Sequence, residues 1–489
     1  MIPLSRWTES SVRELFSKSQ DVAVETCIFG PPGTTHKVVL IYAQGLVNNQ
    51  TLEDAVLPYM RDMLDQSITV DPALLERNQR LMLRRVAAEQ TTESVMADLF
   101  SGYLILFFET SGLIYTLNIC SLPNRNPEES SSEVSIKGPR DSFTESIGVN
   151  VALVRKRLKS NSMKCEVYPV GRRSKTSVAL LYIDDVINPE VVEDARQKLQ
   201  AIDVDGLVSS SQLEEGLTGS SFSLFPLLDY TGRPDFVADS LLRGRMCIIV
   251  DGSPMALLGP ANLVYIMKSP EDVHFPYYYV AMERILRVIG LLVAIFLPGF
   301  YIAVTAFNLD QIPFPLLATI SSLRLGLPLS GPMDFFIMLG LFELFREAGM
   351  RLPKAVGQTV AVVGGLIVGD AAIRAGITGP ATLVAVAIST MAMFTLVNQS
   401  LSGAVTLLRI IILLVSTVLG MFGFILSVVA LTLYLATLET FGVSYLAPIS
   451  PPNYREFVQA ILAKPFAMMR RRPSFLKPID RTRREGDTS

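Results

Sequence analysis

The chain has 489 residues and a formal net charge of −3, but its charge is unevenly distributed. Residues 1–284 contain 27 Lys and Arg against 36 Asp and Glu, whereas residues 285–438 contain 12 charged residues in 154, about 8%. Because so few charges cannot cover the surface of a soluble domain, the second block is predicted to lie in a membrane. This excludes a wholly soluble protein, a disordered protein and a secreted disulfide scaffold.

The sequence carries no signature of catalysis or of a bound metal. The four cysteines are far apart, and the two histidines, His36 and His274, are isolated. No phosphate-binding loop or hydrolase elbow occurs. We predict no enzymatic activity, no metal, no cofactor and no nucleic-acid partner. Residues 1–20 carry charges throughout, so no signal peptide is predicted and the N-terminal region is expected on the cytoplasmic side.

Residues 1–268 are predicted to form two similar α/β subdomains, residues 1–130 and residues 131–268. In each, an apolar run typical of a buried strand leads through a polar turn into a helix. The first helix is expected to be capped by Thr51 and to end near Asp65, and the second to open at Pro189. Matching residues are separated by 140 positions: Leu40, Tyr42 and Asn48 in the first copy, Leu180, Tyr182 and Asn188 in the second.

A β-hairpin is predicted in each copy as well. The flanking apolar runs are Leu104–Phe108 with Leu113–Leu117, and Met246–Val250 with Met255–Leu258. The second turn contains Asp251-Gly252, a strong hairpin signal. Coincidence between two common motifs is the alternative to a duplication. Between the copies, Asn124–Ser135 is rich in Pro, Ser and Glu and is predicted to be a solvated linker.

The segment that begins at Gly138-Pro139 is a candidate contact surface. The Gly-Pro pair predicts a turn, and a helix is expected after it. One explanation is a surface helix whose basic end is stabilised by the helix dipole. The other is a surface that contacts a partner or anionic lipid. Its residues would be Arg140, Glu145, Asn150, Arg155 and Arg157.

Residues 269–450 are predicted to form a transmembrane domain of four to six helices. A helix start is expected at Ser269-Pro270-Glu271-Asp272, and the apolar run Ile285–Phe307 is long enough to cross a bilayer. Ile312–Pro332 is apolar but interrupted by prolines, as in a broken or re-entrant element. Further spans are predicted at Ala381–Val397 and at Ile410–Leu438.

Basic residues predict the orientation. Arg284 and Arg287 at the entry of the first span, and the basic tail at 451–489, are expected on the cytoplasmic side. Two cytoplasmic ends require an even number of crossings. However, the spans Ile285–Phe307, Ala355–Ile377, Ala381–Val397 and Ile410–Leu438 together with Met333–Phe345 make five crossings. These predictions conflict, and the charge distribution is the stronger signal. Arg409 is expected at an interface or paired with a buried acid, and the tail could also bind anionic lipid.

The span Ala355–Ile377 is the most informative part of the membrane block, since its glycines and alanines permit close helix packing. Thr359, Val363, Leu366 and Asp370 are spaced by 4, 3 and 4 positions and share one helix face. Two explanations are open. In one, Asp370 forms a structural ion pair with Arg374. In the other, Asp370 faces a pore in which Leu366 forms a hydrophobic constriction.

A set of motifs, in order, resembles one protein family. The motifs are Gly138-Pro139-Arg140 with Phe143, Glu145, Asn150, Leu153, Arg155 and Arg157, then Arg233-Pro234-Asp235, Gly244-Arg245, Val250–Pro254, Ser269–Asp272, Phe345–Gly349, Arg351–Pro353, Gly357–Thr359, Phe441–Val443 and Tyr445–Pro448. The chain resembles the A subunit of the spore germination nutrient receptors, the GerA family. The match covers residues 135–450 well and the N-terminal subdomain in outline.

The resemblance implies a receptor subunit in the inner membrane of dormant spores. It implies two partners, a transporter-like B subunit and a lipoprotein C subunit, and a ring of A subunits, a pentamer, that forms a nutrient-gated cation channel. Leu366 then becomes the constriction of the pore helix. The family usually has Gln where this chain has Asp370, so an acid ring would strengthen cation preference. If Asp370 pairs with Arg374 instead, the pore face is misassigned.

Two other functions compete with the channel. A secondary transporter would bind the nutrient itself, and the proline-broken Ile312–Pro332 together with Asp370 would suit a substrate site. A membrane scaffold would merely recruit partners, and its intramembrane charges would be structural.

Overall fold

The computed structural model describes residue 4 and residues 7–483, apart from nine internal gaps. The gaps are residues 31–34, 66–71, 73–74, 76–80, 88–89, 122–134, 220–222, 352–367 and 466–467. The predicted linker Asn124–Ser135 therefore lies outside the described residues, except for Ser135. The pore-helix residues Thr359, Val363 and Leu366 also lie outside them.

The first α/β subdomain is built on a five-stranded antiparallel sheet with the order β1-β2-β4-β5-β3. Its strands are β1 (Val22–Phe29), β2 (His36–Ala43), β3 (Arg84–Arg85), β4 (Tyr103–Phe108) and β5 (Leu113–Asn118). Its helices are α1 (Glu9–Leu15), α2 (residues 49–65, with a π-helical stretch at Leu52–Val56) and α3 (Thr92–Leu99). Both faces of the sheet are covered, because β2 and β4 are buried along nearly their whole length.

The second subdomain repeats this arrangement with the strand order β6-β7-β9-β10-β8. Its strands are β6 (Met163–Val170), β7 (Thr176–Ile183), β8 (Asp229–Thr231), β9 (Met246–Val250) and β10 (Ala256–Gly259). Its helices are α4 (Ile147–Arg155), α5 (Pro189–Ala201), α6 (Ser210–Thr218), α7 (Pro234–Leu242) and the single turn α8 (Leu263–Ile266). Each strand pairs antiparallel with its neighbours, as in the first sheet.

The common strand order confirms the predicted duplication, which extends to side-chain contacts. Tyr42 donates a hydrogen bond to Glu25 at 2.9 Å, and its counterpart Tyr182 donates one to Glu166 at 2.6 Å. Although burial raises the pKa of Glu166, hydrogen bonds from Arg196, Tyr168 and Tyr182 lower it to about 2. Coincidence between two common motifs does not explain a shared sheet order together with a shared polar pair.

The caps and turns of the two copies also correspond. Asn48 and Asn188 accept hydrogen bonds from the first turns of α2 and α5. The prediction that Thr51 caps the first helix was therefore wrong, since Thr51 is the donor to Asn48 at 3.0 Å. Both predicted hairpins form, and their turns contain glycines with positive φ, Gly112 at 66° and Gly252 at 82°.

An apolar helical bundle follows the second subdomain. Its helices are α9 (Tyr277–Ile302, continued by a π turn at Ala303–Phe307), α10 (Phe314–Arg324), α11 (Gly331–Arg351), α12 (Pro380–Met393) and α13 (Gln399–Thr437). In the described part of the chain, two helices are long and apolar enough to cross a membrane, Tyr277–Phe307 and Gln399–Thr437. The helix start predicted at Ser269 is a single 3-10 turn, Pro270–Val273, and the long helix begins at Tyr277.

Helix α13 reverses direction at Gly420, whose φ of 62° and ψ of −141° are not helical. Gly423 lies against Val415, a residue that a straight helix would place about 12 Å away. Both ends of α13 lie against the second subdomain, since Asn398 donates to Asp229 at 2.6 Å and Leu224 donates to the Tyr434 hydroxyl at 3.0 Å. Its two arms are therefore antiparallel, and each is about 26–32 Å long.

This reversal changes the expected path of the chain. Ile410–Leu438 was predicted to cross the membrane once. Instead, the first arm of α13 runs away from the second subdomain, and the second arm runs back to it. After α13, a two-stranded ribbon, β11 (Glu439–Thr440) and β12 (Val443–Ser444), leads to α14 (Tyr454–Ile461) and the basic tail. In the tail, Arg472 donates to the Leu242 carbonyl at 2.8 Å and Ile479 to the Val186 carbonyl at 3.0 Å. The tail and the α/β subdomains therefore lie at the same end of the bundle.

We expect Gly420→Ala to destabilise the bundle by about 1–3 kcal/mol, because this backbone conformation is strained for every residue with a Cβ. The added carbon would also lie 2.9 Å from Cγ of Phe307. Thermal unfolding in detergent, followed by circular dichroism, measures the change. Gly403→Ala is the control: Gly403 lies within α13 with open space around it, so alanine there should be neutral or stabilising. Equal melting temperatures for the two variants would contradict the reversal at Gly420.

Candidate functional site

Arg155 joins the two α/β subdomains. Its guanidinium group binds both carboxylate oxygens of Asp21, at 2.6 and 2.9 Å, and lies 4.3 Å from the ring centroid of Phe100. It also donates to the Ser160 carbonyl at 3.0 Å. Arg155 belongs to the second subdomain, whereas Asp21 and Phe100 belong to the first. A side chain that is 1% exposed therefore holds the two subdomains together.

The other predicted contact residues lie along the same segment. Asn150 is buried and closes the turn before α4, accepting from the Thr144 N–H at 2.7 Å and donating to the Thr144 carbonyl at 2.6 Å. Arg157 is half-buried and pairs with Asp141 at 2.6 Å. Arg140 and Glu145 are exposed, and the Glu145 carbonyl accepts from Gly252. Asn150 and Arg155 thus bind within the chain, whereas Arg140 and Glu145 lie at the surface.

Seven ionisable side chains connect the second subdomain with the start of α9. This junction cluster consists of Arg233, Asp235, Glu271, Asp272, His274, Arg284 and Arg287. At its subdomain side, Arg233 is 2% exposed and forms ion pairs with Asp235, at 2.7 Å, and with Glu271. His274 contacts Asp235 at 3.0 Å. Burial raises the pKa of Asp235, but the hydrogen bonds from Arg233 and His274 outweigh it, and the pKa is lowered.

At the bundle side of the junction cluster, Asp272 accepts from Arg284 at 2.8 Å and from Arg287 at 2.9 Å. Arg287 also donates to the Met267 carbonyl at 3.3 Å. The two arginines, predicted as orientation signals at a membrane surface, are therefore also ligands of a buried carboxylate. These bonds hold the start of α9 to the turn that follows the second subdomain.

Arg245, the residue before β9, makes a second connection, to the chain that follows α13. It is 2% exposed, lies 3.7 Å from the ring centroid of Tyr265 and donates to Asn262 at 3.2 Å. Asn262 in turn donates to the Ala447 carbonyl at 2.6 Å. Arg233, Arg245 and Ser269–Asp272 belong to the family motifs, but the sequence pattern did not predict that they form these ion pairs and hydrogen bonds. The sequence does contain a signal for the junction cluster, because the adjacent acids Glu271 and Asp272 precede Arg284 and Arg287 at the start of an apolar helix.

A second charged cluster lies inside the apolar bundle. Arg409 of α13 is fully buried and forms an ion pair with Glu343 of α11. Glu343 also pairs with Arg346 at 2.6 Å, and Arg346 donates to Thr406 at 3.1 Å. Of the two alternatives predicted for Arg409, an interface position or an ion pair with an acid, the ion pair forms. Among these three residues, one carboxylate is shared by two guanidinium groups.

Asp370 lies in a short helical stretch at residues 368–374 and pairs with Arg374 at 2.9 Å. The structural pair that was one of the two predicted alternatives therefore forms. Both side chains are exposed in the single chain, 59% for Asp370 and 80% for Arg374. Ala372, on the opposite face, packs with Phe335, Met338 and Leu339. Exposed pairs of this spacing contribute about 0.3–0.5 kcal/mol, so the pair does not bury Asp370 or fix its position.

A cavity of about 540 Å³ lies between the second subdomain and the ends of α11, α12 and α13. Its charged lining residues are Asp229, Lys268 and Arg346, and Met393, Phe394, Leu396 and Val397 supply apolar surface. Within the described residues, no group of three His, Cys, Asp or Glu side chains is placed to hold a metal ion.

Comparisons with known proteins agree with the motifs. Residues 10–475 match the family model described as Bacillus/Clostridium GerA spore germination protein. The chain is 41% identical to spore germination protein XA of Bacillus anthracis, over 97% of this chain and 96% of that protein. It is 32% identical to spore germination protein KA of Bacillus subtilis, over 96% and 86%.

A solved structure is also similar to about half of the chain. It is the crystal structure of the N-terminal domain of the A subunit of the Bacillus megaterium spore germinant receptor GerK3, with 28% identity, a TM-score of 0.40, and coverage of 52% of this chain and 92% of that one. The family model alone covers nearly the whole sequence and confirms the predicted resemblance. The chain belongs to the GerA family of spore germination proteins.

Proposed function

We propose that this protein is the A subunit of a spore germinant receptor and that copies of it assemble around a cation pathway in the spore membrane. The observation that carries this proposal is the exposed charged face at Asp370. A helix that packs one face into an apolar bundle exposes a carboxylate and a guanidinium on the other. Inside a membrane, charged side chains face water or a protein partner rather than lipid. Neighbouring copies around a water-filled passage would provide that environment.

The pore assignment extends from Asp370 to Thr359, Val363 and Leu366, which share its predicted helix face. A ring of carboxylates favours cations, and a ring of leucine side chains can close a pore by excluding water. We therefore propose Leu366 as the gate and Asp370 as the selectivity ring of a pentamer. The transporter-like B subunit and the lipoprotein C subunit are the proposed partners, with the α/β region on the core side of the inner spore membrane.

The junction cluster is the proposed coupling element. A signal that moves the second subdomain would reach α9 through the bonds of Asp272 to Arg284 and Arg287 and through the bond of Arg287 to the Met267 carbonyl. The subdomain is further tied to α13 by Asn398 and Asp229. Since α9 and α13 pack along each other, a movement of the second subdomain would be passed to the bundle as a whole. The exposed Arg140 and Glu145 are the proposed contact points for a partner subunit.

Ion flux from liposomes containing the purified protein tests the channel. Leu366→Ala should leak ions without a stimulus, because a smaller side chain widens the dry constriction. Asp370→Asn should fold normally and reduce cation flux about fivefold, the factor that ~1 kcal/mol of attraction at about 4 Å in water represents.

Arg374→Gln is the matched control for Asp370→Asn. It breaks the same ion pair but keeps the carboxylate, so cation flux should be preserved or increased. Equal loss of flux in both variants would assign Asp370 a structural role. Absence of any leak in Leu366→Ala would remove the gate assignment, and binding of labelled amino acid by this subunit alone would favour the transporter.

A further inference from the structure

Helix α14 carries an apolar stripe that the rest of the chain leaves partly exposed. The stripe extends into Leu462, the residue that caps the C-terminus of the helix. Its side chains are spaced i, i+3, i+4, i+7 and i+8, so they share one helix face. Each keeps exposed surface, up to 79% at Tyr454 and 43% at Leu462. The members of the stripe are Tyr454, Phe457, Val458, Ile461 and Leu462.

The opposite face of α14 is polar and is held by the chain. It consists of Arg455, Glu456 and Gln459. The Glu456 carboxylate accepts a hydrogen bond from the Ser474 N–H of the tail at 2.9 Å. The polar face is therefore turned toward the tail, and the apolar stripe is turned away from it.

One contact fixes the level of α14 along the bundle. Arg284 of α9 donates to the carbonyl of Ala460, in the last turn of α14, at 3.2 Å. The apolar run that is long enough to cross a bilayer begins at the next residue, Ile285. Within two turns before Arg284, the same helix exposes Tyr277, Tyr278 and Tyr279, and clusters of tyrosine mark membrane–water interfaces. The last turn of α14 is therefore level with the edge of the hydrocarbon layer.

The size of the stripe favours lipid over a second protein as the group that covers it. A specific protein interface buries about 800 Å² of each partner, more than five partly covered side chains supply by themselves. Amphipathic helices on a bilayer bury such a face about 5–10 Å deep, at the boundary between headgroups and acyl chains. A free helix of eight residues would bind a bilayer weakly, but α14 is tethered to α9 and is already at the right level.

We propose that α14 is an interfacial helix whose apolar stripe lies in the surface of the bilayer, with its polar face toward the tail. The contact needs no anionic headgroup, because the stripe carries no charge, and it does not depend on the pore. It ties the tail to the membrane surface through Glu456 and Ser474. Since the tail also binds the second subdomain, where Arg472 donates to the Leu242 carbonyl, a change at the bilayer surface would reach that subdomain.

Tryptophan quenching tests the proposal in the full-length protein, reconstituted in phosphatidylcholine nanodiscs. Tyr454→Trp places an indole on the stripe, and Gln459→Trp places one on the polar face of the same helix. The buried Trp7 gives a constant background, which the unsubstituted protein measures. Lipid brominated in the upper part of its acyl chains should quench Tyr454→Trp at least about twofold more than Gln459→Trp, because the bromine lies at the depth of the stripe. Acrylamide in the aqueous phase should show the reverse order.

Three results would overturn the lipid assignment. Protection of Tyr454→Trp from both quenchers would show that a second copy or another part of the protein covers the stripe. Quenching of Tyr454→Trp by acrylamide alone would place the stripe in water. Lipid quenching that appears only after phosphatidylglycerol is added would assign the contact to the basic tail rather than to the uncharged stripe.

Ile461→Glu, made in the Tyr454→Trp protein, separates the stripe from the fold. A carboxylate near the centre of the stripe should reduce the lipid quenching to the level of Gln459→Trp. Gln459→Glu adds the same charge to the polar face and should leave the quenching unchanged. Both variants should melt like the parent protein, because every residue of α14 keeps exposed surface. Unchanged lipid quenching in Ile461→Glu, or an equal loss in Gln459→Glu, would refute the stripe as the membrane contact.

Discussion

Replacing Arg155 with alanine is expected to destabilise the contact between the α/β subdomains by about 3–5 kcal/mol, the typical effect of removing one partner of a buried ion pair. Asp21 would then remain buried, 7% exposed, with no cation beside it. The Phe100 ring would lose the guanidinium group above it. The larger part of this loss comes from the stranded carboxylate rather than from the attraction between the charges.

The protein contains one tryptophan, which makes the measurement specific. Trp7 is buried in the first subdomain with its ring 6.1 Å from that of Phe107. Denaturant titration of the full chain in detergent, followed by Trp7 fluorescence, should show an early transition in Arg155→Ala. Circular dichroism of the helical bundle should change later.

Arg157→Ala is the control for Arg155→Ala. Arg157 follows the same helix, but its side chain is 20% exposed and its partner Asp141 33% exposed, so the expected loss is at most about 1 kcal/mol. Asp21→Asn with Arg155→Met should recover much of the stability lost in the single variant. If Arg155→Ala and Arg157→Ala are equally stable, Arg155 does not hold the subdomains together.

The duplication could be predicted because it rests on local signals that both copies share. Strands such as β2 and β7 are short apolar runs with a fixed offset, and Asn48 and Asn188 occupy equivalent places. The choice of Thr51 as cap failed because Asn48 and Thr51 both have capping side chains, and the sequence alone does not show where the first helical residue lies. Family membership could be predicted from the order of the motifs.

The path through the bundle could not be predicted to the same extent. The apolar residues on both sides of Gly420 continue one another, so hydrophobicity alone reads them as a single span. The reversal depends on a backbone conformation that glycine permits and on contacts with Phe307, which is more than a hundred residues away. Likewise, tertiary packing determines the partners of Arg409 and Arg287. Composition shows merely that each of these charges needs a partner of opposite charge.

The ion pairs inside the bundle lead to the second large effect. Glu343→Gln is expected to destabilise the bundle by about 3–5 kcal/mol, because it leaves Arg409, with no exposed surface, and Arg346 without their shared carboxylate. Reduced accumulation in the membrane and a lower melting temperature in detergent are the measurable results.

Arg409→Met should be much less harmful than Glu343→Gln, because Glu343 would still pair with Arg346 at 2.6 Å and the methionine side chain would fill the space apolarly. Glu343→Leu combined with Arg409→Leu should recover part of the stability lost in Glu343→Gln, since apolar side chains of similar size can replace a buried pair. The order of the three melting temperatures shows whether the shared carboxylate of Glu343 holds α11 to α13. If Arg409→Met is the least stable, Arg409 carries a structural role beyond charge balance, and the single shared carboxylate is not what holds α11 to α13.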